Sequence, residues 1–350
     1  MFKIPTLLMR AGTSKAIYIE KKYLPIDKNE RDAVLLKLMG SPDVRQIDGF
    51  GNNDPLSNKF AIVSLSDRAD ADLDFLFAQV LLNENKISTE ANCGNILSGV
   101  GAYAIEIGLF KAIHPVTTVR IYNENTDTVI ESTLSTVNGM INYEGDAKID
   151  GVPGSGSPIY MNFPGSVGNT FGSLLPTGSS INTIDNIEFS FADVAIPVLI
   201  MHASSFGKIG YETPDELSSD FDLISKIKIM REKVLSFFKL KNSALIPKVA
   251  LISAPRKNGL INSRYFTLYT CHAAHAVTGA LCLAASSFIP GTIVSKFSQQ
   301  FEKNKTIVIE HLAGQLDVDI EIENLNPFQI KRAGFMRTTR PLLQGYGIIV

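Results

Sequence analysis

A cysteine, Cys93, stands where a polar segment gives way to an apolar, glycine-rich one in the stretch TEANCGNILSGVGAYA. Asn92 is a residue type that commonly caps helices, so the pattern predicts a helix whose first residue is Cys93. The unpaired N–H groups at a helix start favour a thiolate or bind a carboxylate. Cys93 is therefore a candidate for proton transfer or anion binding, and the alternative is a small buried side chain.

Lys59 precedes the strongly apolar stretch FAIVSL, which is typical of a buried strand. A lysine at the mouth of such a strand can lose part of its hydration, which lowers its pKa toward the working range of a general base. Since most lysines lie in water, a solvated residue at the end of a strand is the alternative.

The stretch RAGTSKAIYI predicts a strand, a turn and a second strand. The hydroxyls of Thr13 and Ser14, the turn amides and the charge of Lys15 could together hold a carboxylate. An ordinary hairpin turn is the alternative.

A second polar cluster, in YTCHAAHAVTGALCLA, contains two cysteines and two histidines: Cys271, His272, His275 and Cys282. Zinc binds such side chains, but their spacing does not match the usual zinc motifs. The pattern favours histidines at a helix N-terminus that face a cleft.

The composition excludes several classes of protein. With 350 residues, 45% of them apolar, the chain can bury a sizeable core, and its net charge of −2 without a basic cluster disfavours nucleic acid and anionic membranes as partners. Three cysteines are an odd number, typical of free thiols in a reducing compartment. The chain has neither a signal-peptide pattern nor an apolar run of about 18 residues, so we expect a cytoplasmic protein.

The chain contains many short strand patterns and few helices, without βαβ alternation, which predicts an α+β fold. Helices are predicted over NERDAVLLKLMGS, ending at Gly40, and over the segment from Thr213 to Leu240. A Gly-, Pro- and Ser-rich region near 150–185 predicts a boundary between domains 1–182 and 183–335.

Two predicted helices are apolar and rich in small residues, and their similarity suggests that the chain consists of two similar halves. The segments 93–104 and 273–284 lie 180 residues apart and share a hydroxyl-glycine pair, Ser98-Gly99 and Thr278-Gly279. Each is apolar nearly all round, so each should be buried, and we expect a curled sheet around it.

Taken together, the motifs RAGTSKAIYI, LLKLMGSPDVRQIDGFG, NKFAIV, NCGNILSGVGAYAIEIGL, GDAKIDGVPGSGSPI and RTTRPLL resemble the PrpF family over essentially the full length. The resemblance implies a diaminopimelate-epimerase-like fold of two similar domains, each a curled, mostly antiparallel sheet around a central helix. It places the active site between the domains and implies that the tail, 336–350, returns to the first domain.

The resemblance also implies an isomerase of unsaturated di- or tricarboxylic acids that needs no metal or other cofactor. Lys59 resembles the family's catalytic lysine and Cys93 its cleft cysteine. Because residue 273 is Ala and Cys271 lies two positions earlier, a lysine and a cysteine fit better than two thiols. The predicted substrate-binding residues are Thr13, Ser14, Lys15, Asn92, Gly94, Asn95, Arg264, His272, Thr278 and Gly279.

Two other functions stay open: an amino-acid epimerase, and a non-catalytic accessory protein on the same scaffold, which the unusual loop GNNDPLSNK favours. The predicted partner is a small carboxylic acid. A homodimer is the general expectation for a soluble enzyme, and functional pairing with an aconitase-like dehydratase is a further expectation.

Overall fold

The computed structural model describes residues 2–54, 56–81, 85–90, 92–163, 167–240, 246–267, 270–297, 304–325 and 328–349. Pro55 of the GNNDPLSNK loop and Val350 of the predicted tail lie outside these residues. The strands within them are β1 (Phe2–Ala11), β2 (Ser14–Glu20), β3 (Lys59–Leu65), β4 (Leu73–Leu81), β5 (Lys86–Ser88), β6 (Val116–Asn123), β7 (Thr128–Val137), β8 (Met140–Ile141), β9 (Ile159–Asn162), β10 (Asn182–Ile184), β11 (Ile187–Val194), β12 (Ile196–His202), β13 (Lys248–Ser253), β14 (Ile261–Thr267), β15 (Thr270–Cys271), β16 (Asn304–His311), β17 (Gly314–Leu325), β18 (Phe328–Arg337) and β19 (Thr339–Ile349). The α-helices are α1 (Lys28–Met39), α2 (Gly94–Leu97), α3 (Val100–Glu106), α4 (Pro214–Ser218), α5 (Phe221–Phe237) and α6 (Val277–Ser286).

The chain divides into two compact units. Unit 1 comprises residues 1–161 and 336–350, and unit 2 comprises residues 162–335. In unit 1 the strand β19 runs antiparallel to β1, from the pair Phe2–Ile349 to the pair Ala11–Thr339. The C-terminal strand therefore pairs with the N-terminal strand of the same unit.

The glycine- and serine-rich composition predicts a boundary at residue 182, whereas packing divides the chain after residue 161. The segment that follows is bonded to β11 of unit 2. The amide of Gly168 donates to the Asp193 carbonyl at 2.8 Å, and the amides of Thr170 and Phe171 donate to the Asp193 carboxylate at 2.9 and 2.8 Å. One buried aspartate thus attaches this segment to unit 2.

The two units repeat the same order of strand directions. In unit 1, β1 is antiparallel to β2, β2 is parallel to β3, β3 is antiparallel to β4, β4 is parallel to β6, and β6 is antiparallel to β7. In unit 2, the strands β11, β12, β13, β14, β16 and β17 follow the same order of directions. This confirms the predicted α+β architecture of two similar, mostly antiparallel sheets.

Each sheet packs around apolar helical residues. All of α6 is buried, and it contacts β11, β12, β16 and β17. In unit 1, α2 contacts β1, β2 and β4, whereas α3 contacts β3, β6 and β7. Burial on every side explains why these helices are apolar nearly all round.

The helix predicted to run from Cys93 is broken into α2 and α3 at Ser98-Gly99. The Tyr18 hydroxyl donates to the Ile96 carbonyl at 2.6 Å, and the same carbonyl accepts the Gly99 amide at 3.1 Å in the tighter i to i+3 pattern. A Cβ at Gly99 would lie 2.4 Å from the Tyr18 hydroxyl. The tyrosine therefore occupies the space beside the break.

The other helices also test the predictions. Helix α1 ends at Gly40 as predicted, and this glycine adopts a left-handed φ of 76°. The single helix predicted from Thr213 is wrong, because Thr213 and Asp220 each cap a separate helix, α4 and α5. Helix α6 begins at Val277 rather than near Ala273. None of the described helices combines the length and apolarity needed to cross a membrane.

Candidate active site

Lys59 is the first residue of β3, and only 8% of its surface is exposed. It lies directly opposite Gln79 of the antiparallel strand β4, and its Nζ donates to Gln79 Oε1 at 2.5 Å. Nζ also lies 5.2 Å from the centre of the Phe77 ring. The apolar strand thus buries the lysine, and the neighbouring strand supplies a neutral acceptor and an aromatic ring.

Two ionisable residues act on this lysine. Burial lowers the pKa of Lys59, and the neighbouring Cys93 and Asp54 offset part of that decrease. The structure therefore brings together Lys59 and Cys93, the two predicted catalytic residues, within electrostatic range of each other. Lowering the pKa of a lysine makes its neutral amine more available as a base near neutral pH.

Cys93 is the N-cap of α2, so the prediction that Asn92 caps the helix and Cys93 begins it is wrong by one residue. The Cys93 side chain is half-buried and makes no disulfide. It also neighbours Tyr18, whose pKa is raised well above its ordinary value mainly by burial and further by Cys93. The thiol is thus within electrostatic range of the Lys59 amine and of the Tyr18 phenol.

The turn between β1 and β2 consists of two residues, Gly12 and Thr13, because Ala11 pairs directly with Ser14. Gly12 adopts a φ of 54°, a conformation that favours glycine in such hairpins. The Thr13 hydroxyl accepts a hydrogen bond from Asn95 Nδ2 at 3.0 Å. The predicted hairpin turn is therefore also attached to the start of α2.

Asn95 connects this turn to the C-terminal segment. Its Oδ1 accepts from Arg337 Nε at 3.0 Å, and Arg337 Nη1 donates to the Met336 carbonyl at 2.7 Å. A Cβ at Gly12 would lie 2.1 Å from Asn95 Oδ1, so the asparagine packs directly on the glycine. Both side chains are nearly fully buried. Their hydrogen bonds hold the turn, the helix start and residues 336–337 in one arrangement.

Arg10, on β1, makes a second connection between the turn and the C-terminal segment. Its Nη1 donates to the Thr338 carbonyl at 2.6 Å and to the Gly12 carbonyl at 3.1 Å. The Thr339 hydroxyl donates to the Arg10 carbonyl at 2.7 Å. The RTTRPLL motif therefore supports the turn through both side-chain and backbone contacts.

Other predicted residues of unit 1 lie around this group. Ser14 is 4% exposed at the start of β2, and the Lys15 amide donates to the Leu56 carbonyl at 2.9 Å. Gly94 is buried in the first turn of α2. Within the described residues, the buried Oδ1 of Asn92 has no hydrogen-bond partner.

Asn58, immediately before Lys59, is fully buried. Neither atom of its side-chain amide has a hydrogen-bond partner among the residues that the structure describes. Buried polar atoms are normally hydrogen-bonded, so this amide is a donor and an acceptor that a bound molecule could use.

The remaining predicted residues belong to unit 2. Arg264 on β14 is 5% exposed, and its Nε donates to the Glu212 carbonyl at 2.8 Å while Nη1 donates to Asn262 Oδ1 at 3.0 Å. His272 Nδ1 accepts the amide of Ala274 at 3.0 Å, so a neutral ring carries its proton on Nε2. Two of the three guanidinium nitrogens of Arg264 are thus engaged within unit 2.

Thr278 and Gly279 lie in the first turn of α6 and are buried. A Cβ at Gly279 would lie 2.2 Å from the ring of Tyr265, as one at Gly99 would meet Tyr18. The glycine of each hydroxyl-glycine pair therefore allows a tyrosine of a neighbouring strand to approach the helix. This gives Gly279 a packing role.

The side chains considered as zinc ligands have protein partners instead. His275 Nδ1 donates to the Ala276 carbonyl at 2.8 Å, its Nε2 accepts from the Ser263 hydroxyl at 3.0 Å, and the Cys282 thiol donates to the Ala192 carbonyl at 3.3 Å. Across the described parts of the chain, no group of three or more His, Cys, Asp and Glu residues could hold a metal ion.

Sequence reasoning missed three contributors to the unit 1 site. Gln79 is an isolated polar residue in the apolar strand sequence LDFLFAQVL, and that contrast is the one signal it gives. Arg337 lies in a quoted motif but 242 residues from Asn95, its hydrogen-bond partner. Tyr18 reads as a buried strand residue, because its contact with Ile96 depends on the fold.

Comparisons with known proteins show relatives that match nearly the whole chain. A family model described as PrpF protein matches residues 1–349. The chain is 39% identical to the 4-oxalomesaconate tautomerase of Pseudomonas putida over 98% of this chain and 95% of that protein. The crystal structure of a methylitaconate-delta-isomerase superposes with a TM-score of 0.82 at 34% identity, covering 98% of this chain and 95% of that one.

A more distant structure bears on the fold alone. The hydroxyproline epimerase from Agrobacterium vitis superposes with a TM-score of 0.62 at 10% identity, covering 99% of this chain and 92% of that one. This likeness supports the predicted epimerase-type fold. Because the family model spans nearly the whole sequence, the chain belongs to the PrpF family.

Proposed function

We propose that this protein is an isomerase of unsaturated di- or tricarboxylic acids that works by removing and returning a proton, with Lys59 and Cys93 as its catalytic residues. The observation that carries the proposal is a buried lysine with a lowered pKa next to a half-buried free thiol. The relatives described above are named for the isomerisation or tautomerisation of unsaturated carboxylic acids.

In the proposed reaction, the neutral amine of Lys59 takes a proton from the carbon adjacent to the conjugated acid. The electron pair of the broken C–H bond enters the conjugated system and gives a dienolate. The dienolate then takes up a proton, either at the original carbon after rotation about the bond that has become single or at another carbon of the conjugated system, and this gives the isomer. The donor is the Lys59 ammonium, which returns to the neutral amine, or the Cys93 thiol, whose thiolate then regains a proton as the Lys59 ammonium loses one to solvent. No step of this proton transfer calls for a metal or an organic cofactor.

The three cysteines have different environments, and this supports a mechanism with one lysine and one thiol. Burial raises the pKa of Cys271 and of Cys282 to about 12 in each case. Neither would ionise readily near neutral pH. An epimerase with two opposed thiol bases would need a second thiolate, so this environment argues against the amino-acid epimerase alternative.

The negative charge of the substrate and of the dienolate requires nearby donors. In unit 1 the candidates are the hydroxyls of Thr13 and Ser14, the side chains of Lys15 and Asn92, and the backbone amides of Gly94 and Asn95. Asn58, which was not among the predicted substrate-binding residues, joins this set because its side-chain amide has no partner among the residues that the structure describes. Arg264, His272, Thr278 and Gly279 of unit 2 stay predicted substrate ligands.

Proton exchange in deuterated water tests the proposal directly. The protein is incubated with a panel of unsaturated di- and tricarboxylic acids, and deuterium incorporation is followed by NMR and mass spectrometry. We expect exchange into at least one acid, with a loss of about 10²–10⁴-fold in Lys59→Ala. Replacement of the exposed surface residue Lys22 by Ala is the matched control and should leave exchange unchanged.

Two results would overturn parts of this proposal. Full exchange in Lys59→Ala removes that lysine from the mechanism. Tight binding of an acid without exchange in the wild type supports the accessory-protein alternative. A homodimer, a cytoplasmic location and functional pairing with an aconitase-like dehydratase stay predictions of the sequence.

A further inference from the structure

Gln79 is the direct cross-strand partner of Lys59, and its side chain is hydrogen-bonded at both ends. Oε1 accepts from Lys59 Nζ at 2.5 Å, while Nε2 donates to the Asn58 carbonyl at 2.8 Å and to the Val80 carbonyl at 3.2 Å. The pairing is fixed by the register of β3 and β4. Gln79 is therefore anchored to the backbone carbonyl of the residue before Lys59 and to that of its own neighbour on β4.

The contacts determine which way the amide points. A lysine amine or ammonium donates to an acceptor, and a backbone carbonyl accepts from a donor. With the amide reversed, Nε2 would face the Nζ donor and Oε1 would face the two carbonyl oxygens. The oxygen must therefore face Lys59, which makes Gln79 an acceptor for it.

We propose that Gln79 is a positioning residue that holds Lys59 with a neutral acceptor, so that the lysine keeps its place in both of its protonation states. An uncharged amide oxygen accepts a hydrogen bond from an NH₃⁺ group and from an NH₂ group. A carboxylate at the same position would form an ion pair and favour the ammonium form. This inference rests on the proposed function in that Lys59 is there the group that exchanges the proton.

The charged and titratable groups around Lys59 are consistent with an uncharged hydrogen-bond partner at position 79. On β4 it faces Gln79 and the Phe77 ring, both uncharged. Two ionisable residues interact with it electrostatically, Cys93 at the N-cap of α2 and Asp54 in the loop before β3. Cys93 is itself a proposed reactant, and the Asp54 Oδ1 accepts the Leu56 amide at 2.8 Å. A second carboxylate at position 79 would change this balance in favour of the ammonium.

The test measures the titration of Lys59 itself in the full-length protein. Lysines are labelled with ¹³C, and the Lys59 ¹³Cε signal is assigned by its absence in Lys59→Arg. In Gln79→Glu we expect the titration midpoint to rise by about 1–3 pH units, because a negative charge adjoins the ammonium. In Gln79→Leu we expect it to fall, because the ammonium loses its acceptor in a buried place.

Opposite movements distinguish positioning from structural damage. Loosening of the strand pair would hydrate the lysine in both variants and move both midpoints upward toward the ordinary value. Unmoved midpoints in both variants would equally overturn the inference. Gln344→Glu, at an exposed position of β19 in the same unit, introduces the same charge change and should leave the midpoint unchanged. Urea unfolding of each variant shows whether the fold is retained.

Exchange kinetics then separate this inference from the proposed function. If the wild type exchanges no acid while the Lys59 midpoints move as expected, the proposed function fails and the role of Gln79 stands. If the wild type exchanges an acid, we expect Gln79→Glu to shift the pH profile of kcat/KM in the same direction as the NMR midpoint. A lowered rate with an unshifted profile would contradict the positioning role.

Discussion

At the scale of single residues, the decisive feature is a buried lysine whose nitrogen bonds to no carboxylate of the residues that the structure describes. Charged side chains are seldom buried unless they are paired, and the Nζ of Lys59 instead donates to an amide oxygen and adjoins an aromatic ring. Loss of hydration disfavours its ammonium form. The same environment that costs the folded state some stability makes the amine a usable base.

This environment predicts the pH dependence of exchange. A lysine base works only as the neutral amine, so kcat/KM should rise with pH through the Lys59 pKa and be lost below it. Because burial lowers that pKa from its ordinary 10.5, the midpoint of the rise should lie below 10.5. The measurement is the initial rate of deuterium incorporation at low substrate concentration across the pH range.

Lys59→Arg is the control for this profile, because a guanidinium keeps the charge but does not deprotonate in proteins. It should abolish the rise together with turnover. A midpoint at 10.5 or above would contradict the effect of burial. A rate that falls with increasing pH would instead assign the acid role to Lys59 and the base role to Cys93.

At the scale of elements, the turn between β1 and β2 packs directly against the start of α2. Gly12 leaves room for the Asn95 side chain, which in turn bonds the Thr13 hydroxyl and the Arg337 guanidinium. The glycine thus serves two purposes, a left-handed turn and a close approach. These purposes can be separated by substitution.

Gly12→Ala should impair both stability and exchange. A left-handed alanine costs about 1–2 kcal/mol in the free energy of unfolding, and its Cβ would displace Asn95. Gly139→Ala is a matched control, since Gly139 occupies a two-residue hairpin turn of the same unit with a φ of 80°, and no atom of the described residues lies within 4 Å of the added Cβ.

Urea unfolding should therefore show losses in both glycine variants, whereas exchange should fall at least about tenfold in Gly12→Ala alone, as expected for misplaced active-site groups. Equal exchange rates in the two variants would mean that the position of Asn95 does not matter for the reaction.

The elements also show what a sequence can predict. Lys59 and Cys93 are recognisable because local signals mark them, an apolar strand after the lysine and a helix start at the cysteine. Gln79 and Arg337 are not, because their roles depend on strand register and on a contact across 242 residues. The break between α2 and α3 escapes prediction for the same reason, since Tyr18 of β2 helps to cause it.

At the scale of the whole molecule, two units share one order of strands, and their differences locate the chemistry. The third strand of each repeat begins with a buried lysine, Lys59 in β3 and Lys248 in β13. The N-caps differ: Cys93 precedes α2, whereas Ala276 precedes α6. A cysteine therefore occupies the N-cap position in unit 1 and an alanine the corresponding position in unit 2, which supports the proposal that the catalytic lysine and cysteine both belong to unit 1.

Unit 1 is assembled from both ends of the chain. Strand β19 pairs with β1 over its whole length, and residues 336–339 supply contacts to Arg10, Gly12 and Asn95. A fragment of residues 1–161 would expose one edge of β1 and leave the Asn95 amide without its guanidinium partner. We expect it to unfold without a cooperative transition or to aggregate, because unpaired strand edges promote association.

Joining residues 336–349 to this fragment through a Gly/Ser linker should restore a single cooperative urea transition in far-UV circular dichroism. The control carries the same linker followed by the residues of 336–349 in scrambled order, and it should behave like the bare fragment. If residues 1–161 alone unfold as cooperatively as the joined form, the C-terminal strand is dispensable for unit 1. Restoration by the native sequence but not by the scrambled one would instead show that register-specific pairing with β1, together with Arg337, completes the unit that holds Lys59 and Cys93.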